Sequence, residues 1–318
     1  MPTQRDRASD NSLELPRSGN DVAASAEGEI VLLDVFSLVY RAFFGLPPMV
    51  TTRGEPTGAL YGFSTLLLKL LRERRPRGIA AALDAPAATF RHAAFAGYKA
   101  NRPRAPTPLG QQLRRLPELL DAFGASSFTV PGFEADDVLA TLARELAGAG
   151  ETSLVVTGDL DALQCAGDRA RVFVVGRGAT AGRLYDEAAI WTRFGVTPAE
   201  LPDWKALAGD VTDEIPGVPG VGSRRASQLV RRFGGVDGLL RSTDEISPAA
   251  LREAIAARAG DLPLWRDLAR LRDDVPLPEG KRFGVFDAAA RARTRALFEG
   301  LEFRSLLPRL DALPPITN

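Results

Sequence analysis

One histidine, His92, and one cysteine, Cys165, are all that this chain of 318 residues has of two residue types central to zinc binding and nucleophilic catalysis. Neither a His/Cys zinc site nor a Ser-His-Asp triad can be assembled from them. A lone thiol cannot close an intramolecular disulfide, which fits a reducing cytoplasm. Long hydrophobic runs are also lacking. The longest apolar stretch, around Leu60 to Leu71, is broken by Gly62, Ser64, Thr65 and Lys69, so no membrane span is expected. Net charge is absent too, with 40 basic residues against 40 acidic, a balance that by itself argues against a nucleic-acid partner. Residues 1–28 have little aliphatic material and no signal-like apolar core, and read as a disordered leader.

The zero balance hides segregation. Arginine and lysine gather in residues 72–77 (RERRPR), 91–104 (RHAAFAGYKANRPR) and 224–232 (RRASQLVRR). The first run reads equally well as a solvated face. Nine carboxylates stand elsewhere: Asp34, Asp84, Glu134, Asp136, Asp137, Asp159, Asp161, Asp210 and Asp213. Most follow an apolar run or a glycine turn, where solvated surface acids have no reason to concentrate.

Ile30 to Leu33, Ile79 to Leu83 and Leu154 to Val156 are short aliphatic runs separated by helix-length segments, and read as buried parallel strands of an α/β sheet flanked by helices. Each is followed by an acid, Asp34, Asp84 or Asp159, at the strand end where such sheets bind ligands. Val172 to Val175 is a further strand before a glycine-containing turn at Gly176 to Gly182. Leu60 to Leu71 and Leu109 to Phe123 have helical apolar spacing, and Glu134 to Leu146 reads as a helix whose first turn carries carboxylates. Beyond residue 200, Asp203 to Leu207 is helical, and a glycine-rich loop from Ile215 to Gly222 precedes a helix that Ser223 can cap and that stops at Gly234-Gly235. From Pro248 onward the chain is mostly helical, with Leu307-Pro308 and Pro314-Pro315 marking a loose end.

Carboxylate oxygens are hard ligands suited to Mg²⁺ or Mn²⁺, and with no alternative nucleophile they point to metal-assisted attack of water on a phosphodiester. Some acids have plainer readings: Asp161 as a helix cap, Asp210 as a residue following a turn glycine. Gly217, Gly220 and Gly222 let a backbone approach phosphate, with Arg224 and Arg225 adding charge, although an αα-hairpin used for packing is the alternative. Lys99 and Arg102 are three apart and share a face if that segment is helical, placing two cations near a scissile phosphate. Tyr98 beside them is either a base-stacking platform or core filler. His92 reads as a polar bystander.

Taken together, Leu-Leu-Asp34 with Tyr40-Arg41-Ala42-Phe43, Gly54 to Gly62, Asp84 with Thr89-Phe90-Arg91, Tyr98-Lys99 with Arg102-Pro103, Glu134-Ala135-Asp136-Asp137, Thr157 to Asp161, Gly209-Asp210 with Asp213, and Ile215 to Gly222 resemble one family. It is the 5'-to-3' exonuclease, or flap endonuclease, family of the bacterial DNA polymerase I nuclease domain and its stand-alone relatives. The resemblance covers about residues 30–290. It implies a PIN-like parallel α/β core with a helix-three-turn-helix DNA-binding module, and structure-selective cleavage of 5' ends and flaps with two or more Mg²⁺ or Mn²⁺ ions in replication and repair.

Carried over by position, Asp34, Asp84, Glu134, Asp136 and Asp137 form a first metal group, and Asp159, Asp161, Asp210 and Asp213 a second. Lys99 and Arg102 become the catalytic basic pair. Arg41 and Arg91 lie near DNA, and the Gly220-Val221-Gly222 hairpin binds duplex backbone through K⁺; the reading of the residues themselves adds Tyr98, Gly217, Ser223, Arg224 and Arg225 as DNA contacts. The implied organisation is a leader at 1–28, a nuclease core at 29–200, the DNA-binding region at 201–290 and a helical tail at 291–318, acting as a monomer.

The chain departs from the family pattern at Val35, Phe36, Leu160, Glu214 and Ser223-Arg224-Arg225. A homologue that binds DNA with reduced or lost catalysis is the alternative. A dehalogenase-type phosphatase needs a second acid where Phe36 stands, and a small single-stranded RNA nuclease would lack the long module at Gly217 to Phe233.

Overall fold

The computed structural model describes residues 28–176 and 182–314. The expected leader up to residue 27, the tip of the turn at 177–181 and the last four residues, Pro315 included, lie outside them.

Among the described residues, six strands form one sheet in the order β3-β2-β1-β4-β5-β6. They are β1 (Ile30–Asp34), β2 (Gly78–Ala82), β3 (Ser126–Phe128), β4 (Ser153–Thr157), β5 (Ala170–Val175) and β6 (Gly182–Tyr185). The first five pair in parallel and β6 runs antiparallel to β5. β1, β2 and β4 are buried along their whole length, which is why their sequences are continuous rather than alternating. Side chains still divide by the two-residue period. Ile30, Leu32, Ala80, Ala82 and Val155 enter one core, and Val31, Leu33, Ile79, Ala81, Leu154 and Val156 the other.

The first core is covered by the helix Ala135–Gly148 and by the later helices Leu201–Ala208, Ser223–Phe233, Val236–Arg241, Ala249–Ala256 and Leu262–Ala269. The second is covered by Val35–Gly45, Gly58–Arg74, Leu116–Ala122 and Ala288–Gly300. The sheet order reverses direction between β1 and β4, and in open sheets a ligand crevice opens at such a point, outside the strand carboxyl ends.

Three local expectations change. The helix expected over Leu109 to Phe123 is two, Thr107–Leu113 and Leu116–Ala122, because Pro117 cannot donate to the preceding turn and sits instead at the start of the second. Gly222 rather than Ser223 is the residue before the helix Ser223–Phe233, whose end at left-handed Gly234 follows the sequence signal. The described part of the expected loose end, at Leu307-Pro308, is packed. Pro308 sits in the first turn of Leu307–Asp311, Leu306 and Leu310 are buried, the Phe298 ring lies 6.0 Å from Phe123, and Thr294 Oγ1 donates to the Ala122 carbonyl at 2.9 Å.

Candidate metal centre and nucleic-acid interface

The aliphatic run of β1 ends at Asp34, which caps the following helix: its Oδ1 accepts from Ser37 N at 3.4 Å and its Oδ2 from Thr157 Oγ1 at 2.6 Å. Thr157 is the last residue of β4, so one carboxylate joins the two strands that flank the crevice. Burial pushes the Asp34 carboxyl up to about 6; the two hydrogen bonds oppose the rise, and the charges of Asp159 and Asp84 add to it. Asp84 follows β2 and accepts from Ala135 N at 2.7 Å, which anchors it to the first turn of the helix Ala135–Gly148. Arg41, one helical turn beyond Ser37, donates from Nε to the Gly158 carbonyl at 3.1 Å and remains exposed at the rim.

The acidic helix start divides into open and closed groups. Glu134 accepts from Arg91 at 3.0 Å, Tyr98 Oη at 2.9 Å and Lys99 Nζ at 3.1 and 3.2 Å. Burial raises its affinity for a proton, but Lys99 and Arg91 outweigh burial and hold the carboxyl below its ordinary range. Asp136 is partly open, and burial, with its neighbours Asp137 and Glu134 adding to it, drives its carboxyl well above the usual value despite Arg91.

Asp137 corrects an expectation. It is 0% exposed, and a carboxylate has about four acceptor sites. Here Arg91 Nη2 and Arg272 N take Oδ1 at 2.7 and 2.8 Å, and Arg91 Nη1 and Glu134 N take Oδ2 at 2.7 and 3.1 Å. No lone pair remains for a metal. Arg91, expected near DNA, is 1% exposed, and all five of its N–H donors are committed: to Asp137 twice, to Glu134, and to the Leu268 and Arg270 carbonyls at 2.8 and 2.9 Å. It bolts the helical module to the sheet domain. Tyr98, at 2% exposure and with its hydroxyl bound to Glu134, is core filler and offers no face to a base.

The second acidic group converges from three places. Asp159 lies exposed beyond β4 and its Oδ1 accepts from Asp161 N at 3.1 Å. Asp161, Asp210 and Asp213 bring one carboxylate oxygen each within 4.8 Å of one another. Asp210 is held by a narrow turn: its backbone bridges to Ile215, and its Oδ1 accepts from Thr212 N at 2.7 Å. The turn needs glycine at Gly217, where φ is +69° and an added Cβ would lie 2.4 Å from Gly209 N.

Lys205, on the helix Leu201–Ala208, donates to both Asp161 and Asp210 and holds the Asp210 carboxyl below its usual range against the opposing effect of burial. Sequence reasoning did not single it out. Its one signal is a lysine at i+4 from buried Leu201, on the inward face of its helix.

Lys99 links the two groups, lying 3.1 Å from Glu134 and 3.5 Å from Asp213. Its segment is a series of turns rather than the expected helix. Lys99 itself has φ +51°, and Arg102 N donates to the Lys99 carbonyl at 3.1 Å. Arg102 is exposed at the rim, and its charge acts on Asp84. His92 is occupied locally, its Nδ1 lying 2.9 Å from Thr89 Oγ1.

The glycine hairpin lies beyond the acids. Gly220 has φ +77°, its carbonyl accepts from Arg225 Nη1 at 2.6 Å, and Gly222 precedes the helix Ser223–Phe233. Gly220, Gly222, Ser223, Arg224, Arg225 and Gln228 line a shallow depression of about 590 Å³. Backbone N–H groups, a helix N-terminus and two arginines thus face the same space.

Val35 is fully buried in the second core, and Leu160 is partly buried against the first. Both departures from the family pattern serve packing beside the acids.

Residues 29–195 match the family described as 5'-3' exonuclease, N-terminal resolvase-like domain, and residues 196–287 match 5'-3' exonuclease, C-terminal SAM fold. The chain is 39% identical over 287 residues to the thermostable DNA polymerase I of Thermus thermophilus, covering 90% of this chain and 34% of that protein. It is 36% identical over 282 residues to DNA polymerase I of Bacillus subtilis, covering 89% and 32%. The chain therefore spans about a third of the length of these relatives. Among solved structures, bacteriophage T5 5'-exonuclease with bound divalent metal (zinc) superposes with a TM-score of 0.62 at 19% identity, covering 90% of this chain and all of that one. The catalytic core of Rad2 in complex with DNA substrate gives 0.59 at 15% identity, covering 89% and 93%. With matches that run through both the sheet domain and the helical module, the chain belongs to the 5'-3' exonuclease family.

Proposed function

We propose that this chain is a divalent-metal-dependent, structure-selective 5' nuclease that hydrolyses DNA phosphodiesters at 5' ends and 5' flaps in replication and repair. The observation that carries the reading is the convergence of Asp161, Asp210 and Asp213 within 4.8 Å, beside a second acidic group at the ends of β1 and β2, with Lys99 bridging the two.

The donor set fits Mg²⁺ or Mn²⁺: every candidate ligand is a hard oxygen, and no histidine or thiol intervenes. Asp34, Asp84, Glu134 and Asp136 would hold one ion, and Asp159, Asp161, Asp210 and Asp213 another. Bound there, divalent ions polarise the phosphodiester and activate water at neutral pH. The chain's own part is positioning and charge. The Lys99 ammonium lies between the two carboxylate groups, where it can stabilise negative charge developing on the scissile phosphate, with Arg102 at the rim. Arg41 lies at the mouth of the crevice. Gly220, Gly222, Ser223, Arg224 and Arg225 hold the duplex through its phosphates, with K⁺ as a bridging ion at the Gly220-Gly222 hairpin, while buried Gly217 packs against Gly209 and shapes the turn behind them. No helix among the described residues is long and apolar enough to cross a membrane. We infer separately a monomer acting in the cytoplasm, where the lone thiol Cys165 stays reduced.

Cleavage of matched duplexes bearing a 5' flap, a 3' flap, a nick or a blunt end tests the selectivity. Cutting near the junction of the 5' flap, with the 3' flap left intact, is expected. Equal cutting of both flaps, or DNA binding with no product under any metal, would refute the reading.

A further inference from the structure

Two loops meet at the solvent edge of the acidic crevice. One carries Lys99 and Arg102; the other carries Asp210 and Asp213. The Glu214 carboxylate spans them. Its oxygens accept from the Asn101 backbone N–H at 3.2 and 3.3 Å, and its Oε1 accepts from Asn101 Nδ2 at 2.5 Å.

Both loops are locally strained at the junction. Glu214 has φ +58° and Lys99 has φ +51°, left-handed conformations that side chains other than glycine seldom adopt and that surrounding contacts must hold in place. The ion pairs that tie Lys99 to the acids run to Glu134 and Asp213, both candidate metal ligands whose charge a bound cation would share. The Asn101–Glu214 contact uses neither, so it is available to hold the basic loop whether or not metal is present.

We propose that Glu214 is a positioning residue: its carboxylate latches the Lys99-bearing loop to the Asp210–Asp213 loop and so fixes where the Lys99 ammonium sits over the acids. The proposal rests on the nuclease reading for its catalytic consequence but not for the latch itself. Glu214 does not reach the reacting phosphate; it acts through Lys99. A misplacement of about 1 Å at such a group costs up to about 100-fold in rate, so loss of the latch is expected in the chemical step rather than in DNA affinity.

Glu214→Ala and Glu214→Gln are compared with the wild-type chain by hydrogen exchange at the Asn101 amide and by single-turnover cleavage of a 5'-flap duplex. The Asn101 amide should exchange about tenfold faster in Glu214→Ala. The single-turnover rate should fall about 10- to 100-fold, with flap-DNA affinity in Ca²⁺ unchanged within about twofold. Glu214→Gln, which keeps an acceptor oxygen, should recover most of both.

In a Lys99→Ala background, Glu214→Ala should cost nothing further, the signature of a residue acting through another. Unchanged exchange in Glu214→Ala overturns the latch. Faster exchange with an unchanged rate, or a full additional loss on top of Lys99→Ala, overturns the positioning role. A wild-type chain that leaves flaps uncut overturns the nuclease reading and the catalytic role together, and the exchange measurement separates that outcome from the absence of a latch.

Discussion

Arg91 and Asp137 face each other through two parallel bonds of 2.7 Å beneath the acidic crevice, and neither has a polar atom left for a ligand. The pair closes the junction between the sheet domain and the helical module, because Arg91 also holds the Leu268 and Arg270 carbonyls. Removing one partner leaves a buried charge without compensation. Arg91→Ala should therefore cost about 3–5 kcal/mol in urea unfolding. A loss below about 1 kcal/mol would return Arg91 to the list of DNA-contacting residues.

The buried Asp34 carboxyl gives the metal-free chain a distinct pH dependence. The unfolded chain releases this proton near 3.8, whereas the folded chain keeps it to about 6. Between those values the folded state binds more protons, so stability falls as pH rises through the window and does not recover above it. The contribution is about 3 kcal/mol. Thermal melts of metal-free protein from pH 4 to 7 should show the decline, a smaller decline in Asp34→Asn, and its reversal by added Mn²⁺. A wild-type and an Asp34→Asn chain with identical profiles would contradict the assignment.

Arg224 and Arg225 differ in what their loss should do. Arg224→Ala should weaken duplex binding alike for all sequences and lower the slope of log affinity against log salt by about 0.9. Arg225 also donates to the Gly220 carbonyl, so Arg225→Ala should loosen the hairpin as well and cost more affinity than one phosphate contact. Equal salt slopes in wild-type and Arg224→Ala proteins would place the duplex elsewhere.

The C-terminal helices behave as core rather than as a tail. Phe298 is fully buried against Phe123 and Phe303, and Phe298→Ala should destabilise the chain by about 3–5 kcal/mol in the same denaturant titration. A change under 1 kcal/mol would mean that residues 288–313 contribute little to the fold.

Strands β1, β2 and β4 were legible because burial on both faces demands continuous aliphatic runs, and their terminal acids marked the crevice. β3 was not: Ser126-Ser127-Phe128 is three residues with two hydroxyls, a strand held by its pairing to Ala80, Ala81 and Ala82 rather than by pattern. Charge type misled at Arg91, Tyr98 and Asp137. Their sequence context is basic, aromatic and acidic near a site, while their exposure depends on partners 36 to 179 positions away. Lys205 was missed for the converse reason. One lysine on an apolar helix face carries no signal until Asp161 and Asp210 are brought to it. Ligand-type residues are visible in sequence as chemistry; which of them still have free lone pairs is a property of the fold.

Whether the acidic crevice is a metal-dependent nuclease centre is decided by the single-turnover rate of 5'-flap cleavage against Mn²⁺ concentration in wild-type protein and in Asp210→Ala. The wild-type rate should rise from the level seen in EDTA and saturate with Mn²⁺, while Asp210→Ala should lose about 100-fold or more and still bind the flap duplex. An Asp210→Ala rate within about threefold of wild type, or wild-type cleavage indifferent to metal, would contradict that role.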